Sequence, residues 1–377
     1  MGRTIMRLAL IQPATAAIVL LLSALLSTAA GQPEKVSRIG YLNPGSPSDP
    51  LRQRRLDVFR QGMRELGYVD GQNIAIESRW AEGQNDRYPA LAADLVRSKL
   101  DVIVVQSGAA TQAVQQATRT IPIVMSLVVD PVGSGLVASL AHPGGNVTGT
   151  TVMATDLAGK TLQLLKEMVP KISRVAVLRH PVNPGSASFL REAEPAARIL
   201  GIRLQLLEAR DPQGIDSAFT AMARERAGAL LVFPDAFFGT HRRQVAELAL
   251  KRRLPSIFPT GSREYVEAGG LMIYGPNLVD LERRLATYVD KILKGTKPGD
   301  LPVEQPTKFE MVVNVRTAKA IGLTISPLLL QCADQLMNLG GTPHRACRPL
   351  PNCTVERTAG SHTLAAAAHR SVMRITV

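Results

Sequence analysis

The chain has 377 residues, more than the roughly 250 to 300 at which one hydrophobic core usually stops growing, so two domains are expected. Its 45% hydrophobic content is ample for two cores, and its net charge of +13 is no nucleic-acid signature, because aromatics are only 4% and the excess is dispersed along the chain. Cys332, Cys347 and Cys353 lie near the C-terminus without a paired C-x-x-C, which argues against a structural zinc site.

Residues 1–30 read as a cleavable signal peptide. Arg3 and Arg7 precede an apolar stretch from Leu8 to Leu26 that ends in LSTAAGQ, and the small residues Thr28 and Ala30 place cleavage after Ala30. A membrane anchor is the rival reading, opposed by Gln12 and Pro13 within the run. The mature protein is therefore expected to be soluble and periplasmic.

From residue 38 onward, short β-branched runs alternate with segments of helical period. Strands are expected at RIGYL (38–42), NIAIES (73–78), DVIVVQ (101–106), IPIVMSL (121–127) and VTGTTV (147–152). A second set follows at RVAVLR (174–179), RLQLLE (203–208), ALLVFP (229–234), PSIF (255–258) and LMIYG (271–275), with one more strand and a short helix within 304–323. Near-continuous apolar runs of this kind belong to strands covered on both faces, so the fold class is α/β with two doubly wound parallel sheets. The intervening segments at 54–67, 109–119 and 241–253 carry apolar residues at helical spacing and read as scaffold rather than chemistry. The chain should pass between domains near Thr150 to Asp156 and return near Gly261 to Gly275. After about Gln335 no sustained period remains, and a disordered or non-family tail is expected over 336–377.

In open parallel sheets, ligands bind beyond the carboxyl ends of the strands. The candidates there are Asn43 and Ser46 after the first strand, Ser107, Gly108, Ala109 and Thr111 after the third, and Asp130 after the fourth. In the second half they are Asn183, Asp235, Thr260 and, a little further on, Glu264. The same residue types make ordinary turns and helix caps. Ser107 and the amides that follow it open a helix, where free N–H groups favour an anion such as a carboxylate. Asp235 or Glu264 could face an ammonium group.

Enzyme readings lack a constellation. There is no G-x-S-x-G, no H-E-x-x-H and no G-x-x-x-x-G-K-[ST]. Gly133, Gly135 and Ala138 fit the loose pattern G-x-G-x-x-A, but they follow the fourth strand rather than the first, so a dinucleotide is not expected. His142 and His241 sit at helix ends, where capping and solvent contact account for them; His180 differs only in ending a strand. No catalytic residue, metal or cofactor is expected.

Five segments together carry a resemblance: RIGYLNPGSP, the stretch FRQGMRELGYVDGQNIAIESRWAEGQNDRYPALAADLV, IPIVMSLVVDPVGSGLVASLAHPGGNVTGT, LPSIFPTGSREYVEAGGLMIYGPN, and YVDKILKGTKPGDLPVEQPTKFEMVVNVRTAKAIGLTI. They closely resemble the ABC-transporter substrate-binding proteins of the TrpX-like type, from about Arg38 to Asp334. The resemblance implies the type I periplasmic binding fold, two α/β domains joined by three crossovers that close on a small solute. It implies residues 36–150 plus about 276–300 as the N-terminal lobe and 151–270 plus about 304–330 as the C-terminal lobe, with a hinge near Thr150. It further implies capture of an amino acid, aromatic ones included, or a related small carboxylate, by a monomer that delivers it to a membrane permease with its ATPase. A periplasmic sensor and a secreted α/β enzyme are the alternative classes; a two-lobed transcription regulator would need a DNA-binding headpiece where this chain carries a signal segment.

Overall fold

A computed structural model describes residues 36–152, 154–337 and 343–345. The expected signal peptide and nearly all of the expected tail lie outside the described residues.

The first sheet follows from its buried apolar runs. β1 (Ser37–Asn43), β3 (Val102–Gln106), β4 (Ile123–Val128) and β5 (Val147–Thr151) are buried over most of their length, and β2 (Ile74–Trp80) forms the more exposed edge. Their order is β2-β1-β3-β4-β5, parallel throughout. Helices α1 (Pro50–Glu65), α2 (Tyr88–Arg97) and α3 (Gly108–Ala117) connect them. One face packs Tyr88, Ala92, Leu95, Ala110 and Val114 from α2 and α3; the other packs Leu56, Phe59 and Met63 from α1.

The second sheet has eight strands: β6 (Arg174–Arg179), β7 (Arg203–Glu208), β8 (Ala229–Val232), β9 (Ser256–Phe258), β10 (Met272–Pro276), β11 (Phe309–Asn314), β12 (Gln335–Met337) and β13 (Pro343–Arg345). Their order is β13-β12-β11-β10-β9-β8-β6-β7. Helices α4 (Ala154–Met168) and α5 (Ser186–Ile199) cover one face. The other carries α6 (Pro212–Arg224), α7 (Ala236–Thr240), α8 (Arg242–Lys251) and α9 (Glu264–Glu267).

The strand pairing departs from the sequence reading at the far edge of this sheet. β10 and β11 pair antiparallel, because β11 arrives from the first lobe along the sheet edge instead of through the crossover helix that a parallel pair needs. Residues 335–337 and 343–345, placed at the end of the patterned region or in the expected tail, instead add β12 parallel to β11 and β13 antiparallel to β12.

The chain crosses between lobes three times. It leaves the first lobe between β5 and α4, and returns between β10 and α10 (Leu278–Leu293). The helix α10 packs Leu285, Ala286, Tyr288, Val289 and Ile292 into the core beneath α1. The third crossing runs from Glu304 to β11, after which α11 (Val315–Ala320) and α12 (Pro327–Cys332) complete the second lobe. The first and third crossings lie side by side: Thr151 N donates to Glu304 O at 3.0 Å, and Glu304 N donates to Gly149 O at 2.9 Å. This is the connectivity of the type I periplasmic binding fold. The return crossing falls at Pro276 to Leu278, just beyond the expected stretch, because LMIYG stays in the second sheet as β10.

Candidate ligand-binding site

Both sheets end on a shared cleft. A cavity there is lined from the first lobe by Arg52, Arg55, Ser107 and Leu127, and from the second by Asn183, Phe233, Asp235, Phe258, Thr260 and Tyr265. Except for the α1 arginines and Tyr265, these residues sit at or just past the carboxyl ends of strands, where such sheets present their loops. Leu127 takes a left-handed φ of 59° at the irregularity between β4 and β5. A β-branched or bulky residue in that conformation is strained, and such strain concentrates at ligand clamps.

The lobes are in contact across this cleft. Arg242 forks onto Asp49, with Nη1 to Oδ2 at 3.0 Å and Nη2 to Oδ1 at 2.9 Å. Burial alone would raise the Asp49 carboxyl, but the Arg242 hydrogen bonds and charge outweigh it and hold the group below its ordinary value. Arg52 Nη2 donates to Ala236 O at 3.3 Å, and Arg55 Nη2 donates to Ser262 Oγ at 2.9 Å. These bonds mark the arrangement as closed.

Five of the expected site residues meet at the cavity: Ser107, Gly108, Asn183, Asp235 and Thr260. Ser107 caps α3, its Oγ accepting from Ala110 N at 3.1 Å, so one amide of the proposed anion cradle is already occupied. Asp235 caps α7 by accepting from Phe237 N at 2.7 Å, and its other oxygen accepts from Asn183 Nδ2 at 2.5 Å. Thr260 Oγ1 accepts from Ser262 N at 3.3 Å.

The other six lie elsewhere. Asn43 is buried and turns Oδ1 to Gly45 N at 3.0 Å, while Ser46 bonds Ser48 on the surface. Ala109 lines a second cleft with His180 and Asn85. Thr111 is fully buried and spends its hydroxyl on Ser107 O at 2.7 Å. Asp130 Oδ1 accepts from Gly133 N at 2.8 Å and so stabilises its own turn. Glu264 approaches Arg54 across the lobes at 3.8 Å.

Sequence reasoning missed Leu127, Phe233 and Phe258 of the cavity wall and the two arginines, Arg55 because its helix was assigned to the scaffold and Arg52 because that helix was begun too late. Asp49 caps α1, accepting from Leu51 N at 3.0 Å, and Pro50 occupies its first turn. The helix therefore starts one turn before the expected 54–67. That extra turn brings Arg52 into line with Arg55 on the stripe that carries Leu56, Phe59 and Met63, at positions where apolar residues would be ordinary. Two arginines on a buried stripe were the available signal.

Behind Arg55 lies Glu282 of α10, fully buried, which accepts from Gln106 Nε2 at 2.8 Å; Gln106 also donates to the Tyr41 hydroxyl at 2.6 Å. Burial raises the Glu282 carboxyl above its ordinary value, and the Arg55 charge opposes that shift without cancelling it.

Comparison with known proteins adds the following. The family described as "ABC transporter substrate binding protein" matches residues 48–337. A tyrosine-binding protein of Clostridioides difficile is 28% identical over 266 residues, which cover 70% of this chain and 75% of that protein. An ABC domain from Streptococcus pneumoniae, solved in complex with L-Trp, is 26% identical with a TM-score of 0.72, covering 80% of this chain and all of that one. The ligand-free, open structure of an adhesive substrate-binding protein from Clostridium difficile is also 26% identical, covering 78% of this chain and 97% of that one, but its TM-score is 0.56. The better agreement with the tryptophan complex accords with the bonds that join the lobes here.

Proposed function

Because the chain belongs to the ABC transporter substrate-binding proteins, we propose that it captures an amino acid with an aromatic side chain between its lobes and hands it to a membrane permease driven by an ATPase. The observation that carries this reading is the cavity itself, in which both lobes supply walls and charged groups share the space with Phe233, Phe258 and Tyr265. An apolar pocket with a few convergent polar groups suits a small amphipathic solute. The tyrosine-binding relative and the tryptophan complex point to the same ligand class.

In this reading, residues 36–150 with 276–300 close against 151–270 with 304–330, and contacts to both lobes favour the closed population. The protein acts as an exported monomer, released by cleavage after Ala30. Asp235 and Asn183 receive the ligand ammonium group, which a carboxylate already held by two neutral donors can still accept.

The test is a thermal-shift screen of the protein after unfolding and refolding to strip bound solute. Tyrosine, tryptophan and phenylalanine should raise the melting temperature selectively, since a ligand at a hundred times its Kd stabilises the folded state by about 2.7 kcal/mol. A well-folded preparation that responds to none of them, or equally to all amino acids, would sink the aromatic assignment.

A further inference from the structure

The first lobe lines the cavity with two buried arginines and no carboxylate. Arg52 is 2% exposed and Arg55 8%, and both project from one face of α1. Their hydrogen-bond acceptors are neutral: the Ala236 carbonyl for one and the Ser262 hydroxyl for the other. Arg52 Nε is buried with no partner among the described residues. Asp49, the nearest acid on the same lobe, is committed to Arg242 in a two-point fork. Glu282 stands behind the two guanidinium groups, the Asp49 charge they feel is shared with Arg242, and Asp235 lies on the cavity wall of the opposite lobe. Burial first, and Arg55 second, push the Arg52 guanidinium down to about 10. Buried charges left in this state call for a counter-ion.

We propose that Arg52 and Arg55 form the receptor for a single ligand carboxylate, with Glu282 as the fixed counter-charge that orients Arg55. The planar guanidinium of Arg52, with its Nε free, suits a carboxylate approached from the cavity side. Asp235 with Asn183 then holds the amino group, so the site reads the two charged ends of an α-amino acid from opposite lobes. Arg52 also touches Ala236 directly, so the same group that binds the carboxylate ties the lobes together around it. The inference rests on the amino-acid reading only for the rest of the ligand; the carboxylate requirement stands on the arginines.

The experiment is calorimetry on the refolded full chain with L-tyrosine, tyramine and a panel of monocarboxylates that includes 3-phenylpropionate and L-leucine, repeated on Arg52→Gln. Removing one partner of a buried charge pair should weaken binding by about 100-fold. Tyramine should therefore bind wild type about 100-fold more weakly than L-tyrosine, and Arg52→Gln should lose a similar factor for L-tyrosine while leaving tyramine binding unchanged. Tyramine bound as tightly as L-tyrosine, or a variant that keeps its affinity, would overturn the assignment. If wild type takes no aromatic amino acid but binds another monocarboxylate with the same dependence on Arg52, the receptor stands and the aromatic reading falls. If no carboxylate binds, the receptor is overturned. Tyramine on wild type tests the carboxylate requirement alone; where Arg52→Gln does not fold, Arg52→Lys, which keeps the charge and loses the planar fork, should weaken L-tyrosine and leave tyramine unchanged, and an unchanged L-tyrosine affinity would overturn the assignment.

Discussion

His180 ends β6 in the closed interface, 4% exposed, with its ring 5.1 Å from Phe237 and its Nδ1 3.3 Å from Asn85 Nδ2 of the opposite lobe. Burial pushes its pKa below the ordinary value and Arg210 adds to that, while the Asp235 and Glu208 carboxylates and a backbone bond at Arg210 pull the other way without prevailing. When the lobes part, the ring regains water and an ordinary pKa near ~6.5, so the open form binds the proton more readily than the closed one. Closure is then fully favoured above that value and is opposed as pH falls through it. Ligand affinity should accordingly drop between pH 7.5 and 5.5, and His180→Gln should flatten the profile. Calorimetry at the two pH values checks this; an unchanged wild-type affinity would refute it. At this scale, what was legible in the sequence was the polar punctuation at strand ends, which brought Ser107, Asn183, Asp235 and Thr260 to attention. Thr111 and Asp130 belong to the same punctuation, but their side chains serve their own helix and turn. Residue type marks a strand end without saying which way its side chain faces once the second lobe arrives.

Among the elements, the buried strands announced themselves most clearly. β6 and β7 have the bounds expected from RVAVLR and RLQLLE, because a continuous apolar or alternating run between turn formers has little room to shift. The antiparallel direction of β11 was not legible, since pairing direction depends on where the connection returns rather than on the strand's own residues. The three-residue β12 carries too few positions for a period. The start of α1 was available in Asp49-Pro50 but was obscured by charge on its inward face. The turn after β9 offers a test at the same scale. A Cβ on Gly261 would stand 1.9 Å from the Pro276 carbonyl, a backbone atom at the second crossing, so the segment cannot yield without moving the hinge. Gly261→Ala should destabilise the chain by about 2 kcal/mol, as overpacking of this kind does, measured by urea unfolding. A midpoint equal to wild type would show that the crossing is more compliant than its close packing indicates.

Taken whole, the molecule is two sandwiches whose mutual contact is polar and concentrated at the N-terminal turn of α1. The Asp49–Arg242 fork belongs to the closed arrangement, and neither residue lines the cavity. Its removal should therefore shift the balance between open and closed forms while leaving direct ligand contacts intact. Arg242→Ala should weaken amino-acid binding by about 10-fold, mostly through faster dissociation, and small-angle scattering should show a larger radius at subsaturating ligand than for wild type. Equal dissociation rates would assign the fork to lobe packing alone. The helix α10 has a different consequence. It covers one face of the first sheet, with Gly62 of α1 so near that a Cβ there would lie 2.8 Å from that of Ala286. A chain emerging N-terminus first thus carries β1 to β5 with that face covered by α1 alone until residue 293 has followed. The lobe begun first is completed late, so its first core stays unsealed until most of the second lobe has been made.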